Sequence, residues 1–250
     1  TIAARFINLL LTPFLTYSLA NTSDYGKMGL IYAAIPVLNV IFTYGFETAY
    51  FRFATKPEYK NSIYSTAVLS LFFSTLFFTP LLWFYQDGFA NIVSLQGFPK
   101  IIQLSIFIIA FDALNRIPFA RLREEDRPKK FAFINILSIV VNVFFTWFFI
   151  AWCPNQLKQN PSSWVSSFYS NGTNPIVYVL LANLIQSVVT LLLLSGELAK
   201  IRLRFNVKLW KEMMVYSLPL IIVGMGGMIN ETFDRLMIAW WLPGSAGFRE

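Results

Sequence analysis

The sequence contains no histidine and a single cysteine, Cys153, among its 250 residues. Without histidine, a Ser-His-Asp triad and a Cys-His nucleophile pair cannot form. One cysteine cannot make a disulfide within the chain or supply the usual ligands of a zinc site. We therefore expect no enzyme activity, no bound metal and no cofactor.

Charged residues are also scarce, since Asp, Glu, Lys and Arg make up 13% of the chain against about 25% in an ordinary globular domain. Hydrophobic residues make up 56%, and 26 residues are Phe. A soluble domain of this composition would lack enough polar surface to cover itself, so a bilayer-embedded protein is predicted. The net charge of +7 would suggest nucleic-acid binding in a soluble chain, but here we expect no nucleic-acid partner.

Apolar residues are gathered in seven blocks that are long enough, at about 18 residues, to cross the hydrocarbon core. In lipid the backbone must satisfy its own hydrogen bonds, so the blocks should be helices. We predict an all-α polytopic membrane protein with about seven transmembrane helices. The blocks are residues 6–23, 28–46, 63–84, 101–122, 131–158, 175–196 and 213–230.

Basic residues are concentrated in alternate loops between these blocks. The stretches 52–60, 121–130 and 196–211 hold thirteen, whereas the opposite loops hold only Lys27, Lys100 and Lys158. By the positive-inside rule, the segment before the first span lies in the cytoplasm, and the excess charge contacts anionic lipid headgroups. The longest outer connection, 154–175, has no periodicity and is predicted to be a flexible loop.

Charged residues also occur in pairs within or at the ends of the spans, where an unpaired charge costs about 2.5–3.5 kcal/mol on insertion scales. Two interpretations remain open: the pairs neutralise each other between packed helices, or they bind a ligand. The pairs are Glu47 with Arg52, Asp112 with Arg116, and Glu231 with Arg235, with Asp234 beside the last pair.

Three stretches resemble the polysaccharide flippase family of the multidrug/oligosaccharidyl-lipid/polysaccharide exporter superfamily. They are YGFETAYFRF at 44–53, IPFARLR at 117–123, and YSLPLIIVGMGGMINETFDRLMIAWWLP at 216–243. The resemblance implies twelve or more helices in two six-helix halves around a central cavity. Residues 1–206 would then be the N-terminal six-helix bundle with a truncated start, and residues 207–250 would form the first helix of a second bundle whose remainder is missing.

The resemblance also implies a function in the bacterial inner membrane. Such a transporter moves oligosaccharides linked to undecaprenyl pyrophosphate from the cytoplasmic to the periplasmic leaflet, for O-antigen, capsule or exopolysaccharide synthesis. Its expected partners are this lipid-linked substrate, membrane lipids and a coupling ion, either a proton or sodium. The candidate substrate-binding residues are Arg5, Glu47, Arg52, Asp112, Arg116, Glu231, Asp234 and Arg235.

Two alternatives remain. A drug or cation antiporter of the same superfamily would line its cavity with carboxylates and aromatic residues, whereas here an arginine accompanies nearly every buried carboxylate. A polytopic polysaccharide polymerase would need catalytic residues in its outer loops, whose charged groups are only Asp24, Asp87 and three lysines.

Overall fold

A computed structural model describes residues 22–241, apart from 94, 161–162, 171 and 203, and the side chains within 26–226. The described residues contain helices and no strand. The α-helices are α1 (Thr22–Thr43), α2 (Phe46–Ala54), α3 (Ile63–Phe84), α4 (Gln86–Ile92), α5 (Pro99–Glu124), α6 (Pro128–Trp147), α7 (Cys153–Gln159), α8 (Pro175–Leu193), α9 (Ser195–Leu198) and α10 (Val207–Trp241).

Six helical segments in the described part of the chain are long and apolar enough to cross a membrane, which confirms the predicted fold class. They correspond to the second to seventh predicted blocks. The first block, 6–23, lies almost entirely outside the described residues. The segments are Gly26–Thr43, Ile63–Phe84, Pro99–Glu124, Pro128–Gln159, Pro175–Leu193 and Val207–Gly226.

The long helix α5 lies at the centre of the bundle, where it packs against α1, α2, α3, α6 and α8. Ile106, Ile109, Ala113, Ile117 and Ala120 are fully buried. Their spacing of three and four residues places them on one face of the helix. The helix that carries two of the candidate site residues, Asp112 and Arg116, is therefore held on several sides.

Other helices expose large apolar side chains, as expected of surfaces that contact lipid. Phe73 and Phe77 on α3 are exposed, as are Ile222 and Val223 on α10. Burying these groups in hydrocarbon replaces the burial that a soluble protein obtains in its core.

The second span departs from the sequence prediction. Residues 28–46 were expected to form one span, with Glu47 on it and Arg52 at its end. The structure ends α1 at Thr43 and starts α2 at Phe46, because Tyr44 and Gly45 adopt positive φ angles of 36° and 70°. A right-handed helix cannot continue through that conformation.

The predicted flexible loop at 154–175 is also wrong over part of its length. The helix of the fifth predicted block continues through a π-helical segment, Phe148–Trp152, into α7, and a 3-10 turn follows at Trp164–Ser167. Pro154 does not stop it, because the change from π-helix to α-helix falls at the point where the proline removes a backbone donor.

The three basic stretches lie at one end of the bundle. Lys56 forms an ion pair with Glu212 at 3.8 Å, and residues from 121–130 and 196–211 meet around Glu197. The chain thus brings together the loops that the charge count grouped. That this end faces the cytoplasm stays a prediction. So does the boundary at residue 207, where α10 begins and packs against α1, α2 and α3.

Candidate functional site

A polar cavity of about 310 Å³ lies between α2, α5, α6 and α8. This volume is within the ~300–1,000 Å³ range of ligand pockets. The lining combines two carboxylates and two guanidinium groups with amides, hydroxyls and two phenylalanine rings. Its residues are Glu47, Asp112, Asn115, Arg116, Phe119, Arg123, Phe131, Asn135, Ser138, Gln186, Ser187 and Thr190.

The cavity extends from the end of the bundle that carries the basic loops towards mid-span. Arg123 lies one residue before the end of α5 at Glu124. Asp112 lies twelve residues before that end, or about 18 Å along the helix axis. A charged group that enters from this end would meet Arg123 first and Asp112 last.

The break before α2 places Glu47 in this cavity. Gly45 packs so closely on α10 that a Cβ there would lie 3.3 Å from the Ser217 carbonyl oxygen. Within α2, Phe46 and Ala49 are fully buried in a core cluster that includes Leu209 and Met213 of α10. These contacts fix the short helix, so Glu47 projects towards α5 rather than along the axis of α1.

Glu47 contacts two arginines of α5 at once. Its Oε1 accepts a hydrogen bond from Nη2 of Arg123, and its Oε2 lies 3.7 Å from Nη1 of Arg116. Arg123 also lies over the rings of Phe51 and Phe131, at 5.3 and 5.5 Å. One carboxylate therefore faces two guanidinium groups, and this cluster carries a net positive charge.

Asp112 is positioned by a different partner. Its Oδ1 accepts a hydrogen bond from the Ser187 hydroxyl of α8 at 2.7 Å. The expected ion pair with Arg116, four residues later, is not formed within 4.0 Å, because Arg116 lies against Glu47 instead. The spacing of four residues predicted this ion pair wrongly, because the fold brings Glu47 to the Arg116 guanidinium.

The structure brings Glu47, Asp112 and Arg116 together and separates Arg52 from them. Arg52 lies on another face of α2, with its guanidinium 4.2 Å from the centroid of the Tyr216 ring. The expected Glu47–Arg52 pair is therefore absent. Arg5 lies outside the described residues, and so do the side chains of Glu231, Asp234 and Arg235.

A second charged cluster surrounds Glu197, which sequence reasoning missed. Glu197 is fully buried in α9. Its oxygens accept from Lys130 at 2.7 Å, Lys200 at 2.9 Å and Arg127 at 3.2 Å, and Arg121 lies 3.9 Å away. The only sequence signal for this cluster is that Glu197 is a single acidic residue within a basic stretch. Most of its partners lie some 70 residues earlier in the chain, so the sequence alone does not pair them.

Burial raises the pKa of Glu197, but the hydrogen bonds from Lys130 and Lys200 and their positive charges outweigh that effect. The net result lowers the pKa to about 2. Glu197 therefore remains ionised. Its ion pairs join the loop between α5 and α6 to the segment that follows α8. This cluster lies outside the polar cavity and stabilises one end of the bundle.

The described side chains include no group of three or more Asp, Glu, Cys or His residues arranged to hold a metal ion. What the cavity offers is bidentate hydrogen bonding from two guanidinium groups, together with amide and hydroxyl groups that both donate and accept. Such a lining suits a ligand that is anionic at one end and rich in hydroxyls at the other.

Six apolar spans define a multi-pass helical membrane protein, and a polar, charged cavity lies between α2 and three of these spans. The profile of the polysaccharide biosynthesis protein family matches residues 19–246, and the chain belongs to that family. Neither a curated protein nor a solved structure matches it significantly. The family links this membrane protein to polysaccharide biosynthesis.

Proposed function

We propose that the protein is a transmembrane transporter that moves lipid-linked oligosaccharides across the bacterial inner membrane, from the cytoplasmic to the outer leaflet. The observation that carries the proposal is the contact of Glu47 with both Arg116 and Arg123 inside a polar cavity. A pyrophosphate-linked sugar cannot cross hydrocarbon unaided, and this cavity supplies the groups that such a headgroup requires.

The two arginines are suited to the pyrophosphate. A guanidinium does not titrate near neutral pH, and its planar fork binds phosphate oxygens in a bidentate manner. In the absence of cargo, Glu47 forms ion pairs with both groups, which keeps them oriented. A phosphate that enters the cavity competes with Glu47 for the same donors, so headgroup binding can be reversed.

The remaining lining suits the sugar. Asn135, Gln186 and Thr190 come from α6 and α8 and offer donors and acceptors that face the same space. The Phe119 and Phe131 rings, 5.5 Å apart, add apolar surface beside them. Sugar hydroxyls and the C–H faces of a pyranose ring match this combination of surfaces.

Export of polymer by cells tests the proposal. Arg116→Ala and Arg123→Ala should each reduce export strongly while membrane expression stays near normal, and Arg→Lys should restore it only in part because lysine lacks the fork. Arg52→Ala is the matched control, since Arg52 is also an arginine near Glu47 but lies outside the cavity.

Three outcomes would contradict the proposal. Normal export in the Arg116→Ala, Arg123→Ala double variant would exclude these residues as headgroup ligands. If these variants lose folded protein in parallel with export, the role of the Glu47–Arg116–Arg123 cluster is structural. Drug resistance that depends on the protein, without any effect on polymer, would favour the antiporter alternative.

A further inference from the structure

A second cavity, of about 410 Å³, lies at the end of the bundle opposite the basic loops. Its walls come from α4, the loop that follows and the start of α5 at Pro99. Arg123, at the mouth of the first cavity, lies near the other end of the same helix. The 26 residues of α5 correspond to about 39 Å, more than the hydrocarbon core of about 30 Å. The two cavities therefore lie near opposite faces of the membrane.

Uncharged hydrogen-bonding groups dominate the wall of this cavity. Gln86, Asn91 and Gln96 supply three carboxamides, and Asp87 is the only charged residue among the described residues that line it. Asp87 and Asn91 are four residues apart in α4 and so share one face of that helix. Gln86 is held in place by Gln103, whose Nε2 donates to its Oε1 at 3.1 Å. In the described part of the chain, no hydrogen bond or ion pair is observed for the side chains of Asp87, Asn91 and Gln96, which leaves them available to a ligand.

The floor of the cavity is apolar and firmly packed. Leu95 and Ile102 are each 1% exposed and belong to a core cluster that also contains residues of α1 and α8. Phe98 packs against this cluster, and the ammonium group of Lys27 lies 4.5 Å from the centroid of its ring. The cavity thus places polar side chains above a preformed apolar surface.

This combination of groups disfavours three classes of ligand. A phosphate would be repelled by Asp87 and would find no Arg or Lys among the described lining residues. A metal ion would find a single carboxylate. A hydrocarbon chain would displace water from the carboxamides without replacing its hydrogen bonds. Sugar hydroxyls, by contrast, can donate to the carboxylate and both donate to and accept from the carboxamides, while the C–H face of a sugar ring packs on the apolar floor.

We infer that this second cavity binds an uncharged saccharide, with Asp87 and Asn91 as its main hydrogen-bonding residues. The inference goes beyond the proposed function, which assigns no residue at this face of the membrane. With the orientation expected from the basic loops, the cavity lies on the outer side, where a transported saccharide emerges. Binding here requires neither transport nor a pyrophosphate, so the saccharide site and the proposed function can fail separately.

The test uses the purified protein in lipid nanodiscs, because maltoside and glucoside detergents carry sugar headgroups of their own. The probe is an array of uncharged oligosaccharides of hexose, N-acetylhexosamine and deoxyhexose units, without lipid or phosphate. We expect the protein to bind a subset of these glycans above the level of empty nanodiscs. For the glycan that binds most strongly, Asp87→Ala and Asn91→Ala should each raise Kd about tenfold, as expected for the loss of a hydrogen bond. Gel filtration checks that each variant is folded.

Asn155→Ala is the matched control, since Asn155 is also an exposed carboxamide on a short helix, α7, but does not line this cavity. Its replacement should leave glycan binding unchanged. The site would be overturned if no uncharged glycan bound, if Asp87→Ala and Asn91→Ala bound as well as the wild type, or if Asn155→Ala lost binding equally. Loss of binding in the Arg116→Ala, Arg123→Ala double variant instead would place the glycan in the first cavity and would also overturn it.

Discussion

The guanidinium of Arg52 lies 4.2 Å from the centroid of the Tyr216 ring, so a cation–π contact joins α2 to α10. Such a contact contributes about 0.5–2 kcal/mol, depending on desolvation. The first prediction is that Arg52→Ala and Tyr216→Leu each lower the thermal stability of the purified protein, and that the double variant loses less than their sum.

A double-mutant cycle measures this coupling directly. If Arg52 were instead a headgroup ligand, Tyr216→Leu would leave export unaffected while Arg52→Ala abolished it. Additive losses of stability in the cycle would show that the contact contributes nothing.

The second prediction concerns Glu212, which holds the segment after α2 against α10. The Tyr59 hydroxyl donates to Glu212 Oε1 at 2.9 Å, and Lys56 lies 3.8 Å from Oε2. The hydrogen bond from Tyr59 to Glu212 raises the pKa of Tyr59 to about 12, so the phenol remains a donor at physiological pH. Tyr59→Phe should lower the stability of the protein, because Glu212 then loses the hydrogen bond that the phenol donates.

Chemical denaturation of the purified variant measures that loss. Glu58→Gln serves as the control, because Glu58 is an exposed neighbouring acid for which no ion pair is observed within the described residues. A Tyr59→Phe variant as stable as the wild type would mean that Lys56 alone holds Glu212.

The third prediction concerns the break that positions Glu47. Gly45 has φ of +70°, and a Cβ there would lie 3.3 Å from the Ser217 carbonyl oxygen. Gly45→Ala should therefore destabilise the protein by about 1–2 kcal/mol through the left-handed conformation alone, and it should also reduce export because α2 shifts.

Gly88→Ala is the matched control. Gly88 lies within α4, and nothing lies within 4 Å of a Cβ placed there. Alanine should be neutral or slightly stabilising at this position. Normal stability and export in Gly45→Ala would show that the geometry of the break is not required.

The sequence predicts the spans well because their length and apolar content follow from the thickness of the bilayer. It predicts the partners of the charged residues poorly. Glu47 was assigned to Arg52 by proximity along the chain, whereas the fold brings Arg116 and Arg123 to it across the α2–α5 interface. Contacts between residues some 70 positions apart depend on how helices pack, which periodicity does not reveal.

The fourth prediction is the orientation of the bundle. Reporter fusions after Lys56, Arg127 and Arg204 should report the cytoplasm, and fusions after Gly88 and Ser166 the periplasm, because thirteen basic residues against three set the topology. Opposite signals after both Arg127 and Gly88 would reverse the assignment and place the Arg123 end of the cavity on the outer side.

The fifth prediction follows from Glu197, whose pKa is lowered to about 2 by Lys130 and Lys200 despite the opposing effect of burial. An acid whose pKa is lower in the folded state contributes stability above its unfolded pKa of about 4.3, and this contribution is lost as the pH falls through the folded pKa. We expect the free energy of unfolding to fall by an amount on the order of 3 kcal/mol as the pH is lowered from about 4 to about 2. The midpoint temperature of thermal unfolding should fall with it.

Glu197→Gln separates this acid from the other carboxylates. It leaves Lys130, Lys200 and Arg127 around a neutral amide, so the variant should be less stable than the wild type at neutral pH, and its unfolding midpoint should depend less on pH in the acid range. Glu58→Gln should retain the wild-type profile. An unchanged acid profile in Glu197→Gln would assign the loss of stability to other carboxylates and leave the basic cluster without its proposed stabilising role.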